Sequence, residues 1–135
     1  MSKTILVVDD ERDILRVVQH TLTLNGYAVT TAATGREALE QIAFNRPDAV
    51  VLDVMMPVMD GFQVLHQIRA DPKTAALPVI LLTAKTEEES IAKGWREGAD
   101  LYLVKPFEIS ELIACVEALL EGNYDVLPTR PSERK

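Results

Sequence analysis

Five times over, the chain repeats a short run of apolar, β-branched residues followed by a longer run with apolar residues every three or four positions. Ile5-Leu6-Val7-Val8 leads the first unit and stops at Asp9. A helical stripe follows from about Glu11 to Leu24, with Ile14, Leu15, Val18 and Leu22 on one face. Asn25-Gly26 ends it as a left-handed C-cap would. The second strand, Ala28 to Thr31, is weaker, and its helix is capped by Thr34, carries Ala38, Leu39 and Ile42, and ends over Asn45 to Pro47. Asp48 to Asp53 is apolar between its ends, as a parallel strand covered on both faces must be. A loop over Val54 to Asp60 contains Pro57; Asp60-Gly61 then opens a helix through Phe62, Leu65 and Ile68 that Asp71-Pro72 breaks. Pro78 to Thr83 is the fourth strand, Thr86 to Glu97 a largely polar fourth helix closed by Gly98, and Leu101 to Val104 the fifth strand. Ile109, Leu112, Ile113, Val116, Leu119 and Leu120 mark the last helix. Strands separated by helices pair in parallel through right-handed crossovers, so the expected fold is a doubly wound α/β sheet of five parallel strands.

At 135 residues the chain has the size of one domain, expected over 1–121, with 122–135 as a tail or the start of a linker. A formal net charge of −7 repels phosphodiester backbones and anionic lipid headgroups, which argues against direct binding of nucleic acid or membrane by this domain. No apolar run approaches the roughly 20 residues that a spanning helix needs. The run Ile5–Val8 is too short for the core of an export signal. A single cysteine, Cys115, excludes an internal disulfide, fits a reducing compartment and lies in an apolar stripe that implies an inert, buried thiol. A cytoplasmic protein is expected.

In an open parallel sheet, ligands bind beyond the carboxyl ends of the strands, where the strand order reverses. Polar residues close four of the five strands: Asp9 and Asp10 the first, Asp53 the third, Thr83 the fourth and Lys105 the fifth. Carboxylates gathered there repel one another by roughly 4 kcal/mol per pair at 4 Å in an effective dielectric near 20. A cation offsets that cost, and oxygen-only, partial ligation suits Mg²⁺. Metal, ammonium and hydroxyl together make the clamp that a transferring phosphoryl group requires, and one carboxylate is then the nucleophile. Each position also has a plainer explanation. A strand-end aspartate can be a helix N-cap or a turn residue, a threonine there can be structural, and Tyr102 can be a half-exposed aromatic on an edge strand. Those explanations must hold at five positions together to replace the clamp.

From Lys3 to about Glu121 the sequence resembles the receiver domain of two-component response regulators. The resemblance is carried by Ile5-Leu6-Val7-Val8-Asp9-Asp10-Glu11, by Val51-Leu52-Asp53-Val54-Met55-Met56-Pro57-Val58-Met59-Asp60-Gly61, by Leu81-Leu82-Thr83-Ala84, and by Gly98-Ala99-Asp100, Tyr102 and Lys105-Pro106-Phe107. It implies strand order 2-1-3-4-5 with five helices. It also implies that Asp53 is the phospho-acceptor, that Asp10 binds Mg²⁺ directly and Asp9 mainly through water, and that the backbone carbonyl of Met55 is a third protein ligand. Lys105 would pair with the phosphoryl group and precede a cis peptide to Pro106. Thr83 would be the switch hydroxyl and Tyr102 the aromatic that moves inward with it, remodelling the face made by the 86–97 helix, the fifth strand and the last helix. The implied partners are a sensor histidine kinase or a histidine phosphotransfer protein, with a phosphorylation-dependent homodimer as a further expectation.

Met55 and Lys85 stand two residues after Asp53 and Thr83, where the family varies. An apolar side chain at Met55 cannot orient an attacking water, so a long-lived phosphoryl-aspartate is expected. His20 and His66 lack partners at ligand spacing and read as surface histidines, and Trp95 with Ile91 forms a small apolar patch. Three rivals remain in view. A phosphatase of the haloacid dehalogenase type needs a second aspartate two positions after its nucleophile, where this chain has Met55. A nucleotide or flavin module needs a phosphate-cradling loop after the first strand, where Asp9-Asp10-Glu11 places acid. A receiver-like scaffold that is never phosphorylated would have no use for the full acceptor set.

Overall fold

The computed structural model describes residues 2–84 and 98–122 of the chain. Five strands, β1 (Thr4–Val8), β2 (Ala28–Ala32), β3 (Ala49–Asp53), β4 (Val79–Ala84) and β5 (Leu101–Lys105), form one sheet ordered β2-β1-β3-β4-β5. All four pairings are parallel. The helices within the described residues are α1 (Arg12–Leu24), α2 (Gly35–Phe44), α3 (Gly61–Ala70) and α4 (Ile109–Glu121). The helix expected over 86–97, with Lys85, Ile91 and Trp95, lies outside the described residues.

Alternation along the strands divides the core between the two faces of the sheet. Leu6, Val8, Val50, Leu52 and Leu81 pack with Ala38 and Ile42 of α2 and Phe62, Leu65 and Ile68 of α3. Ile5, Val7, Val51, Ile80 and Leu82 pack on the other face with Val18 and Leu22 of α1 and Leu112, Val116 and Leu119 of α4. Each such fully buried side chain contributes roughly 1.5–3 kcal/mol. Every residue of β3 is buried, which places Asp53, its last residue, at the floor of the carboxyl-end crevice. The strand order reverses between β1 and β3, so the crevice opens between their ends.

The helix ends follow the sequence signals with one exception. Thr34 caps α2 by accepting from Glu37 N, and Asp60 caps α3 in a reciprocal box with Gln63. Gly26, at φ +94°, supplies the left-handed turn after α1. Neither Asp9 nor Asp10 caps α1, however: the N-cap is Glu11, and Asp9 instead accepts Glu11 N–H through Oδ1 at 3.0 Å. Tyr102 departs from the plainer expectation too, being 1% exposed and part of the α2–α3 side of the core.

Candidate functional site

The carboxyl ends of β1, β3 and β5 bring Asp9, Asp53 and Lys105 together. Lys105 Nζ donates to Asp9 Oδ2 at 3.1 Å and lies 3.1 Å from Asp53 Oδ1. Oxygens of Asp9, Asp10 and Asp53 all lie within 4.8 Å of one another. Asp9 and Asp53 are buried, at 0% and 2% exposure, whereas Asp10 faces solvent. Three acids on one rim, two of them out of water, form an array that only added positive charge makes favourable.

The protonation preferences show that strain. Burial first, and then the charge of Asp9, push the Asp53 carboxyl up to about 6 against the opposing pull of Lys105. Burial alone would lower the Lys105 ammonium, but Asp53 and Asp9 outweigh it and hold the group above the ordinary lysine value. Asp53 is therefore a carboxylate short of positive charge.

Local structure fixes these positions. Gly61 N donates to Val54 O at 2.9 Å, and a Cβ at Gly61 would lie 2.4 Å from Asp53 O, so only glycine lets α3 start against the end of β3. Between them, Met59 N donates to Pro57 O at 2.8 Å around Val58, whose φ is +69°. This is a three-residue γ-turn of the hand that a β-branched residue adopts only at a cost. Val58 is fully exposed, and Met55, two residues after Asp53, is 61% exposed. The Lys105–Pro106 peptide is cis, as the resemblance implies.

Thr83, on β4 next to β3, is 1% exposed, and among the described residues its Oγ1 is the one buried side-chain polar atom without a hydrogen-bond partner. An unmet buried hydroxyl costs about 1–3 kcal/mol. With the acid cluster, it leaves both halves of a Mg²⁺-phosphate clamp present: hard oxygen ligands for the ion, and two donors, Lys105 and Thr83, for phosphoryl oxygens. The residues fit the group.

Of the residues singled out from sequence, Asp9, Asp10, Asp53 and Lys105 meet at one rim, and Thr83 is the last residue but one of the neighbouring strand β4. Tyr102 stands across from Leu81 in the β4–β5 register, inside the core. Cys115 is buried, with its thiol pushed up to about 11 by desolvation and by Glu111. Glu11 was missed: its Oε1 lies 3.7 Å from Lys105 Nζ. Its place directly after the acid pair was the available signal. Arg69 was missed as well. It donates to Gly98 O and Leu77 O and pairs with Asp100, tying the end of α3 to the entrance of β5.

Comparison with known proteins agrees with this geometry. Residues 5–117 match the family model described as the response regulator receiver domain. Response regulator MprA of Mycolicibacterium vanbaalenii is 48% identical over 120 residues, covering 89% of this chain and 51% of the relative. The chain thus spans about half the length of the curated relatives it matches. Among solved structures, chemotaxis protein CheY4 of Vibrio cholerae superposes with a TM-score of 0.84 at 38% identity, covering 89% of this chain and 100% of that one. The signal receiver domain of a signal transduction histidine kinase from Syntrophus aciditrophicus gives 0.84 at 32% identity, covering 96% of each. A matched family model, a sheet ordered β2-β1-β3-β4-β5 and an acid rim at its switch point lead to one statement: the chain belongs to the response regulator receiver domain family.

Proposed function

We propose that this receiver accepts a phosphoryl group onto Asp53 from a phosphohistidine on a sensor histidine kinase or a histidine phosphotransfer protein. The observation that carries the reading is the rim itself: three carboxylates within 4.8 Å, a lysine 3.1 Å from two of them, and an unpartnered buried hydroxyl, Thr83 Oγ1, on the adjacent strand β4. In the transfer, a carboxylate oxygen of Asp53 forms the new bond to phosphorus. The phosphorus–nitrogen bond of the donor breaks, and its electron pair leaves with the imidazole. The product is an acyl phosphate, whose attack by water returns the carboxylate and inorganic phosphate. Held by Asp10, Asp53 and the Met55 carbonyl, with Asp9 acting through water, Mg²⁺ would supply the positive charge that the phosphoryl oxygens need. Lys105 pairs with one phosphoryl oxygen and Thr83 donates to another.

Phosphorylation adds about −1.5 to −2 charges at this rim. Lys105 and Thr83 gain contacts only in that state, which is what shifts a conformational population. The Thr83 bond draws the end of β4 toward the acceptor and fixes Tyr102 inward, and the change is read at the surface of β5 and α4; the 86–97 helix expected to share that surface lies outside the described residues. On this reading the chain is a switch that catalyses its own modification, not a multiple-turnover enzyme, and works in the reducing cytoplasm. Among the described residues no helix is long and apolar enough to cross a membrane. The test is intact mass after incubation with acetyl phosphate and Mg²⁺. One added phosphoryl group is expected in the parent and none in Asp53→Ala; equal modification of both would refute the assignment.

A further inference from the structure

Lys105 carries three N–H donors, and two buried carboxylates, those of Asp9 and Asp53, lie 3.1 Å from its Nζ. A third carboxylate is within ion-pair range: Glu11 Oε1, at 3.7 Å. The Glu11 side chain is 64% exposed, so it approaches the ammonium from the solvent side. That is the side by which a phosphoryl group enters. The backbone of Glu11 is fixed by the same aspartate that holds the lysine, because Glu11 N donates to Asp9 Oδ1 at 3.0 Å. Its carbonyl accepts from Leu15 N at 3.1 Å and starts α1.

We propose that Glu11 is a resting-state plug, whose carboxylate occupies the part of the Lys105 ammonium that a phosphoryl oxygen takes over. This inference rests on the acceptor reading of Asp53. An incoming phosphoryl group displaces Glu11, and the plug thereby sets donor preference. A small free phosphodonor, anionic throughout, competes with Glu11 unaided, whereas a protein donor can draw the glutamate aside with a group of its own. An exposed ion pair changes an equilibrium by no more than about fivefold, so the plug tunes the reaction rather than gating it completely.

The experiment compares the parent with Glu11→Gln, which removes the charge, and Glu11→Asp, which keeps it but withdraws the carboxylate by one methylene. The initial rate of phosphoryl uptake from acetyl phosphate and Mg²⁺ is read by intact mass, and the Lys105 ammonium signals are read by NMR. Both variants are expected to take up phosphate roughly two- to fivefold faster than the parent, with shifted Lys105 signals. Parental rates in both variants would overturn the plug. So would a faster Glu11→Gln beside an unchanged Glu11→Asp, since that marks Glu11 as a diffuse surface charge. If the parent itself takes up no phosphoryl group, the acceptor reading fails instead. The plug is then judged by the Lys105 signals, which must move in Glu11→Gln for it to stand.

Discussion

Asp53 is held where an ionised carboxylate is disfavoured, and this has a consequence for stability. Its carboxyl sits at about 6 in the fold against an ordinary 3.8, so the folded state binds that proton more tightly than the unfolded chain. Protonation therefore favours folding: the contribution is complete below about pH 4 and is lost as pH rises through about 6. At neutral pH the deficit is roughly 2–3 kcal/mol, at 1.36 kcal/mol per pKa unit. In EDTA, Asp53→Asn should be more stable than the parent by about this amount at pH 7 and nearly equal to it at pH 4, with the gap opening in between. Urea unfolding across that range checks it, and Mg²⁺ should narrow the gap. The neighbouring Met55 raises a kinetic question. Its exposed thioether offers no N–H or O–H to orient water. We therefore predict a long-lived acyl phosphate whose decay quickens in Met55→Asn. An unchanged or slower rate in the variant would contradict this.

At the scale of elements, the site depends on how closely α3 meets the end of β3. A methyl group on Gly61 would meet the backbone of Asp53 and Val54, neither of which can swing aside. Gly61→Ala should cost about 1–3 kcal/mol of stability and depress phosphoryl uptake, measured by thermal unfolding and by intact mass. Wild-type behaviour in both would show that the approach is looser than the structure places it. Much of this architecture was legible in the chain. The buried runs at Ile5–Val8 and Val50–Leu52, the Thr34 cap, the helix opening at Asp60-Gly61 and the polar residues closing the strands are local signals that mark the elements and the site, whereas the strand order came from the family resemblance. What the sequence does not show is where individual side chains reach and how the loops turn. No local pattern says that Arg69 reaches Gly98 and Asp100, that Asp9 serves the Glu11 amide rather than capping a helix, or that Val58 sits in a left-handed turn. Tyr102 lies on an edge strand, which suggests exposure, yet it is covered by packing that the strand alone does not reveal.

For the whole molecule, charge shapes what it can meet. The net charge is −7. On α4 and its N-cap stand Glu108, Glu111, Glu117 and Glu121, with no lysine or arginine along the helix. A two-fold interface sets each patch against its own copy, so a homodimer through this helix brings glutamate toward glutamate. Any phosphorylation-dependent dimer should therefore strengthen with salt, since screening shortens to about 3 Å at 1 M. Sizing with beryllofluoride and Mg²⁺ at low and high salt tests this, and a dimer weakened by salt would point to a different contact. The central claim remains that the crowded rim exists to make Asp53 a phosphoryl acceptor. The most direct measurement is borohydride trapping, which reduces an aspartyl phosphate to homoserine, followed by peptide sequencing. After treatment with a phosphodonor and Mg²⁺, homoserine is predicted at position 53 and is absent when Mg²⁺ is withheld. An intact Asp53, or trapping at another carboxylate, would contradict the account.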